Sequence, residues 1–190
     1  MSRTIAAFFA SVAVVLVAGC GLFQSEPAPD EWHEPSRLRF PGALGEFLRN
    51  EPEDGLAETS VRWTYVRKGA FCKIAVEPVA AVTGTEAEIL AAEMRASVQA
   101  HHETLHGELT RGAPEESFES DATFRGVPLH GMGVVASRDS RGGRWQAALE
   151  TFVLGGWNVT LITLERDPDK SRPPAPLAAC AAAFFDANGT

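Results

Sequence analysis

The stretch Arg144-Trp145-Gln146-Ala147-Ala148-Leu149-Glu150-Thr151-Phe152-Val153-Leu154-Gly155-Gly156-Trp157-Asn158-Val159-Thr160-Leu161-Ile162-Thr163-Leu164-Glu165 reads as two strands around one turn. Both arms are rich in β-branched and aromatic residues, and two adjacent glycines between such runs are a strong hairpin signal. A strand pair of this kind is antiparallel, because a two-residue link cannot return the chain in the same direction.

The same period recurs upstream. Val61, Trp63 and Tyr65 alternate with Arg62, Thr64 and Val66, and Lys68-Gly69-Ala70 makes the turn. Phe71 to Val76 returns with Cys72, Ile74 and Val76 on one face. Arg37-Leu38-Arg39-Phe40 is a first short strand stopped by Pro41-Gly42, and Phe124 to Pro128 turns into a strand that runs to Ser137. Ala43 to Gly55 offers only a brief helical turn through Leu44, Phe47 and Leu48, and Glu108 to Asp121 has no clear pattern.

Between these halves lies the strong helix, Thr83 to His106. Thr85 with Glu88 fits a capping box, Ala87, Leu90, Ala91, Met94, Val98, His101 and Leu105 form an apolar stripe, and Gly107 is the stop. Leu177, Cys180, Ala181 and Phe184 give a second stripe on a closing helix. The expected fold class is therefore α+β: a single domain over residues 37–190, with an antiparallel sheet covered by helices. The arrangement resembles the PsbP-like superfamily through Leu38-Arg39-Phe40-Pro41, Trp63-Thr64-Tyr65 and Phe124-Arg125-Gly126-Val127-Pro128. That resemblance implies a sandwich scaffold and carries no functional residues.

The N-terminus sets the address. Met1 to Cys20 has one basic residue, Arg3, then an apolar run from Ile5 to Val17 broken only by Ser11, then small residues before a cysteine. Charged end, apolar middle and small-residue cleavage site make a secretory signal, and the run is short of the ~20 residues a spanning helix needs. The ending Leu16-Val17-Ala18-Gly19-Cys20 resembles the lipobox of bacterial lipoproteins. The resemblance implies a signal peptide over residues 1–19, cleavage before Cys20 and acyl chains on Cys20. With Gly21 rather than Asp next in line, it also implies delivery to the outer membrane, facing the periplasm. Residues 20–36, with Pro27, Pro29 and Pro35 among four carboxylates, read as a tether reaching up to ~50 Å.

Removal of residues 1–19 leaves sixteen basic against twenty-five acidic residues, a net charge of −9. A surface so acidic suits neither nucleic acid nor anionic lipid, so the acyl chains must hold the membrane. With Cys20 assigned to lipid, Cys72 and Cys180 remain. An oxidising compartment invites a disulfide between them, and two buried free thiols are the alternative.

His102-Glu103-Thr104-Leu105-His106 is a literal H-E-x-x-H and resembles the zincin metallopeptidases. That alternative makes His102 and His106 zinc ligands and Glu103 the general base. Against it, Thr104 stands where zincins usually carry a bulky apolar residue. Leu109 and Gly112 stand where the extended motif needs Gly and His. At 100° per residue Glu103 points away from the stripe. Histidines in a last helical turn also complement the macrodipole without any metal.

Gly131-Met132-Gly133-Val134-Val135-Ala136 matches the dinucleotide fingerprint G-x-G-x-x-A, but it lies within a strand and not where a strand hands over to a helix. Arg138, Arg141 and Arg144 cluster near a loop, and Trp63, Trp145 and Trp157 fall on strands, as packing or as a cleft lining. No catalytic set is complete and no cofactor is expected. The sequence points to a lipid-anchored envelope lipoprotein with a non-catalytic binding or accessory domain. Its partners are the membrane, through Cys20, and an envelope protein or small ligand.

Overall fold

Alternating side chains decide the architecture. In the computed structural model, residues 27–52, 56–80, 83–107, 110–141, 143–167 and 179–189 are described. The signal segment 1–19 and Cys20 lie outside them, as does the start of the closing helix at Leu177.

The strands are β1 (Glu31–His33), β2 (Leu38–Phe40), β3 (Ala43–Leu44), β4 (Phe47–Pro52), β5 (Val61–Arg67), β6 (Ala70–Pro78), β7 (Glu115–Phe124), β8 (Val127–Ser140), β9 (Gly143–Leu154) and β10 (Trp157–Asp167). Helices α1 (Glu86–Ala100) and α2 (His102–Leu105) separate β6 from β7, and α3 (Ala179–Asn188) follows β10. β1 and β2 form a small ribbon, and the other eight strands form one sheet in the order β3-β4-β5-β6-β10-β9-β8-β7. All pairs are antiparallel: two meanders, β3 to β6 and β7 to β10, meet edge to edge where β6 pairs β10.

The β9–β10 hairpin matches its sequence reading, Trp157 facing Leu154 across the turn. Gly155 and Gly156 both have positive φ, 57° and 86°, the left-handed pair that a type I′ turn requires.

The α+β sandwich expected above is overturned. The described residues are mainly β, ten antiparallel strands with three helices, because two unpatterned stretches are strands. Glu115–Phe124 is an edge strand exposed along most of its length, so it needs no apolar face, and its four carboxylates guard the open edge. Ala43 to Pro52 is a hairpin, not a helical turn; Leu44 and Phe47 are buried facing each other in its register. The main helix is also shorter than its stripe: α1 stops at Ala100, with His101 (φ −112°, ψ 17°) closing it and opening α2.

Register places the core. Trp63, Ile74 and Leu161 form one cross-strand row, and Tyr65, Cys72 and Thr163 form the next. With Phe40, Phe152 and Val159 they make the larger core, under α3 and the β1–β2 ribbon. Cys72 bonds Cys180 of α3, with Cα atoms 6.3 Å apart, which resolves the two thiols in favour of the bridge. Val134, Ala136, Ala147, Leu149 and Ile162 face the other way and pack against Met94 of α1 and Leu105 of α2.

The last ten residues read as tether are ordered. Glu31–His33 pairs with Leu38–Phe40, and His33 is buried against the Trp157 ring at 5.3 Å. Arg49 is the clasp. Its guanidinium lies 4.2 Å above the Trp63 ring and donates to the Phe40 carbonyl, and at 2.6 Å to the Pro29 carbonyl. The Tyr65 hydroxyl donates to the Pro41 carbonyl at 3.0 Å, and burial pushes its pKa well up. Charge-assisted bonds of this kind are about twice as strong as neutral ones.

Candidate functional site

The H-E-x-x-H residues come first, since they carry the sharpest chemical expectation. They sit on α2, a four-residue turn, so the motif does not share the long helix of its own stripe. His102 and Glu103 are exposed; the His102 and His106 rings lie 4.7 Å apart, tilted by 40°. The His106 Nε2 is engaged by the Glu115 carboxylate of β7. Among the described residues, no three His, Cys, Asp or Glu side chains stand where they could hold one metal ion. The arrangement ties the α2 turn to the edge strand, which is a packing role.

The glycine fingerprint has a steric explanation. Gly131 and Gly133 lie in β8; a Cβ on Gly131 would sit 2.4 Å from the Phe152 ring, and one on Gly133 2.2 Å from the Phe118 ring. The glycines exist to let two rings cross the sheet surface.

The tryptophans divide. Trp63 is core, beneath Arg49. Trp157 packs at the rim of the same core, beside His33. Trp145 is half-buried and faces Arg138 on one side and Arg166 on the other in the strand register.

Beside that row opens a cleft of about 510 Å³, lined by Arg111, Gly112, Ala113 and Pro114 of the α2–β7 loop, by Ser137, Arg138 and Asp139 of β8, and by Arg144 of β9. The loop is shaped by Gly112 (φ 72°) and anchored where the Thr110 hydroxyl donates to the Leu105 carbonyl at 2.6 Å. Arg144 Nε donates to the Asp139 carboxylate at 3.1 Å, which fixes one guanidinium. Arg111 and Arg138 are exposed and make no ion pair among the described residues. Three arginines and one aspartate line the cleft, a basic lining in a chain of net −8. Sequence reasoning noticed Arg138 and Arg144 as a turn cluster. It missed Arg111, which is distant in sequence and adds its charge only through the fold.

A second groove of about 320 Å³ lies between α1 and the β7–β8 edge. Met94, Val98, Met132 and Val134 line it, with Arg95 and Glu115 at its polar margin.

Glu150 is buried on the α3 side of β9, and Ser120 Oγ donates to it at 3.2 Å. Burial pushes its pKa up to about 8, the Ser120 bond opposing. It lines neither cleft. The basic cleft offers hydrogen-bond donors and positive charge, which suit the binding of an anion.

No protein-family model matches the chain, and no curated protein matches it.

Proposed function

We propose that this is an exported, lipid-anchored envelope protein whose domain binds or assists a partner without catalysing a reaction. The single observation that carries the reading is the Cys72–Cys180 bridge. Disulfides of this structural kind persist in oxidising compartments, where the N-terminal segment would send the chain. The bridge also uses the two cysteines that remain once Cys20 is assigned to lipid.

Further support comes from Leu16-Val17-Ala18-Gly19-Cys20 and from the acidic charge, which leaves the acyl chains as the means of holding a bilayer. Gly21, not Asp, after the anchor favours the outer membrane, periplasmic side. No helix of the described residues is long and apolar enough to cross a membrane.

The test is mass spectrometry of the mature N-terminus. A diacylglyceryl group on Cys20, and membrane retention through buffer washes that only detergent reverses, are the expected results. An unmodified Cys20, or release into plain buffer, would overturn the reading.

A further inference from the structure

We propose that the cleft between the α2–β7 loop and the β8–β9 hairpin is a binding site for a small anion of the phosphate or carboxylate class. The inference rests on reading the domain as a binding module and gives that module a ligand chemistry.

The charge is in the wrong place for chance solvation alone. A chain with twenty-five acidic and seventeen basic residues brings Arg111, Arg138 and Arg144 from two separate segments around one concavity. Like charges gathered this way repel unless an anion sits among them. Asp139 holds Arg144 in place, and Arg111 and Arg138 add exposed positive charge to the lining.

Guanidinium is also the right group. Its planar fork meets carboxylate and phosphate oxygens in pairs, where lysine would present only a point charge. Ser137 adds a neutral hydroxyl donor to the lining. The volume of about 510 Å³ falls within the range of small-molecule sites, ~300–1,000 Å³, and rules out a polymeric ligand lying wholly inside.

The test uses the full-length protein in non-ionic detergent, titrated calorimetrically at low ionic strength. Three probes serve: inorganic phosphate, citrate, and glycerophosphoglycerol, the headgroup of an anionic lipid without its chains. Saturable binding of at least one is expected, weakening as salt is added. Arg111→Gln and Arg138→Gln should each weaken it roughly tenfold or more, Arg138→Lys less, and Arg95→Gln on α1 not at all. Both glutamine variants change exposed side chains, so the fold should survive them. Preference for glycerophosphoglycerol would name a lipid headgroup as the source, and preference for phosphate or citrate a dissolved metabolite. Absence of saturable binding to all three, or binding indifferent to Arg111 and Arg138, would overturn the proposal. That failure would leave the mass of the N-terminus untouched, and an unmodified Cys20 would leave the cleft untouched.

Discussion

The two faces of the sheet are built on different principles. Beneath α3 the side chains are rings: Phe40 meets Phe184 at 5.5 Å, and Phe152 meets Phe185 edge-on at 4.9 Å, with a disulfide across the layer. Beneath α1 they are small or hydroxylated: Ala136, Ala147, Leu149 and Ile162 are flanked by Ser97, Thr160 and Asn158, which bond one another at 2.8 and 3.2 Å. Large rings fill volume and tolerate little movement. A thinner face with a polar seam leaves room at its margin, and the apolar groove beside α1 opens there. One face holds the molecule together; the other leaves surface to use.

The largest effect should come from removing the staple. Cys72→Ser with Cys180→Ser opens a link between residues 108 apart and should cost about 4–5 kcal/mol in a urea titration. A loss below about 1 kcal/mol would mean that the ring face does not depend on its bridge. Next is Glu150, the one buried carboxyl among the described residues of that face. Well below its ordinary value of 4.5, it is neutral whether folded or not. Between about 4.5 and 8 the unfolded chain gives up a proton that the folded chain keeps, so stability falls as pH rises and its contribution is gone above about 8. Glu150→Gln should flatten that slope and be more stable than the parent by about 2–4 kcal/mol at pH 8.5, as read from melting curves across pH. An unchanged slope would place its origin elsewhere.

On the α1 face the expected costs are smaller. Ser97→Ala removes the hydroxyl shared by Thr160 and Asn158 and should cost about 1–2 kcal/mol. A cost as large as that of the staple would erase the contrast between the faces. Thr85→Ala, which strips the cap of α1, should cost about 1 kcal/mol and fray the first turn, visible as faster amide exchange at Glu88.

Much of this was legible in the sequence, and the reasons for the remainder are specific. Strands buried on one side announce themselves by alternation, as Val61–Arg67 and Trp157–Asp167 do. The cap of α1 was equally plain, because a capping box is local chemistry: Glu88 accepts from the Thr85 N–H at 2.8 Å, which also holds its carboxyl below the usual range. An edge strand gives no such signal. Glu115–Phe124 is wetted on most of its length, so its residues report solvent rather than a period. The error in fold class came from there and from the Ala43–Pro52 hairpin, where the burial of Arg49 hides the alternation. Among candidate site residues, Cys72 and Cys180 were legible as a possible pair because few cysteines leave few choices, and only the fold decides between bridge and free thiols. The basic cleft was only half visible, since Arg111 reaches it through a loop whose path depends on the whole sheet.

The Arg49 clasp has a mechanical consequence. By gripping Pro29 and Phe40 it takes residues 27 to 36 out of the leash and gives them to the body. With Cys20 embedded as proposed, only seven peptide links separate the lipid from Pro27, where the described fold begins, a reach of at most about 25 Å. The domain would therefore ride close over its own leaflet, able to tilt and swivel but not to patrol. On that proposal, anything it met would have to come to the membrane surface.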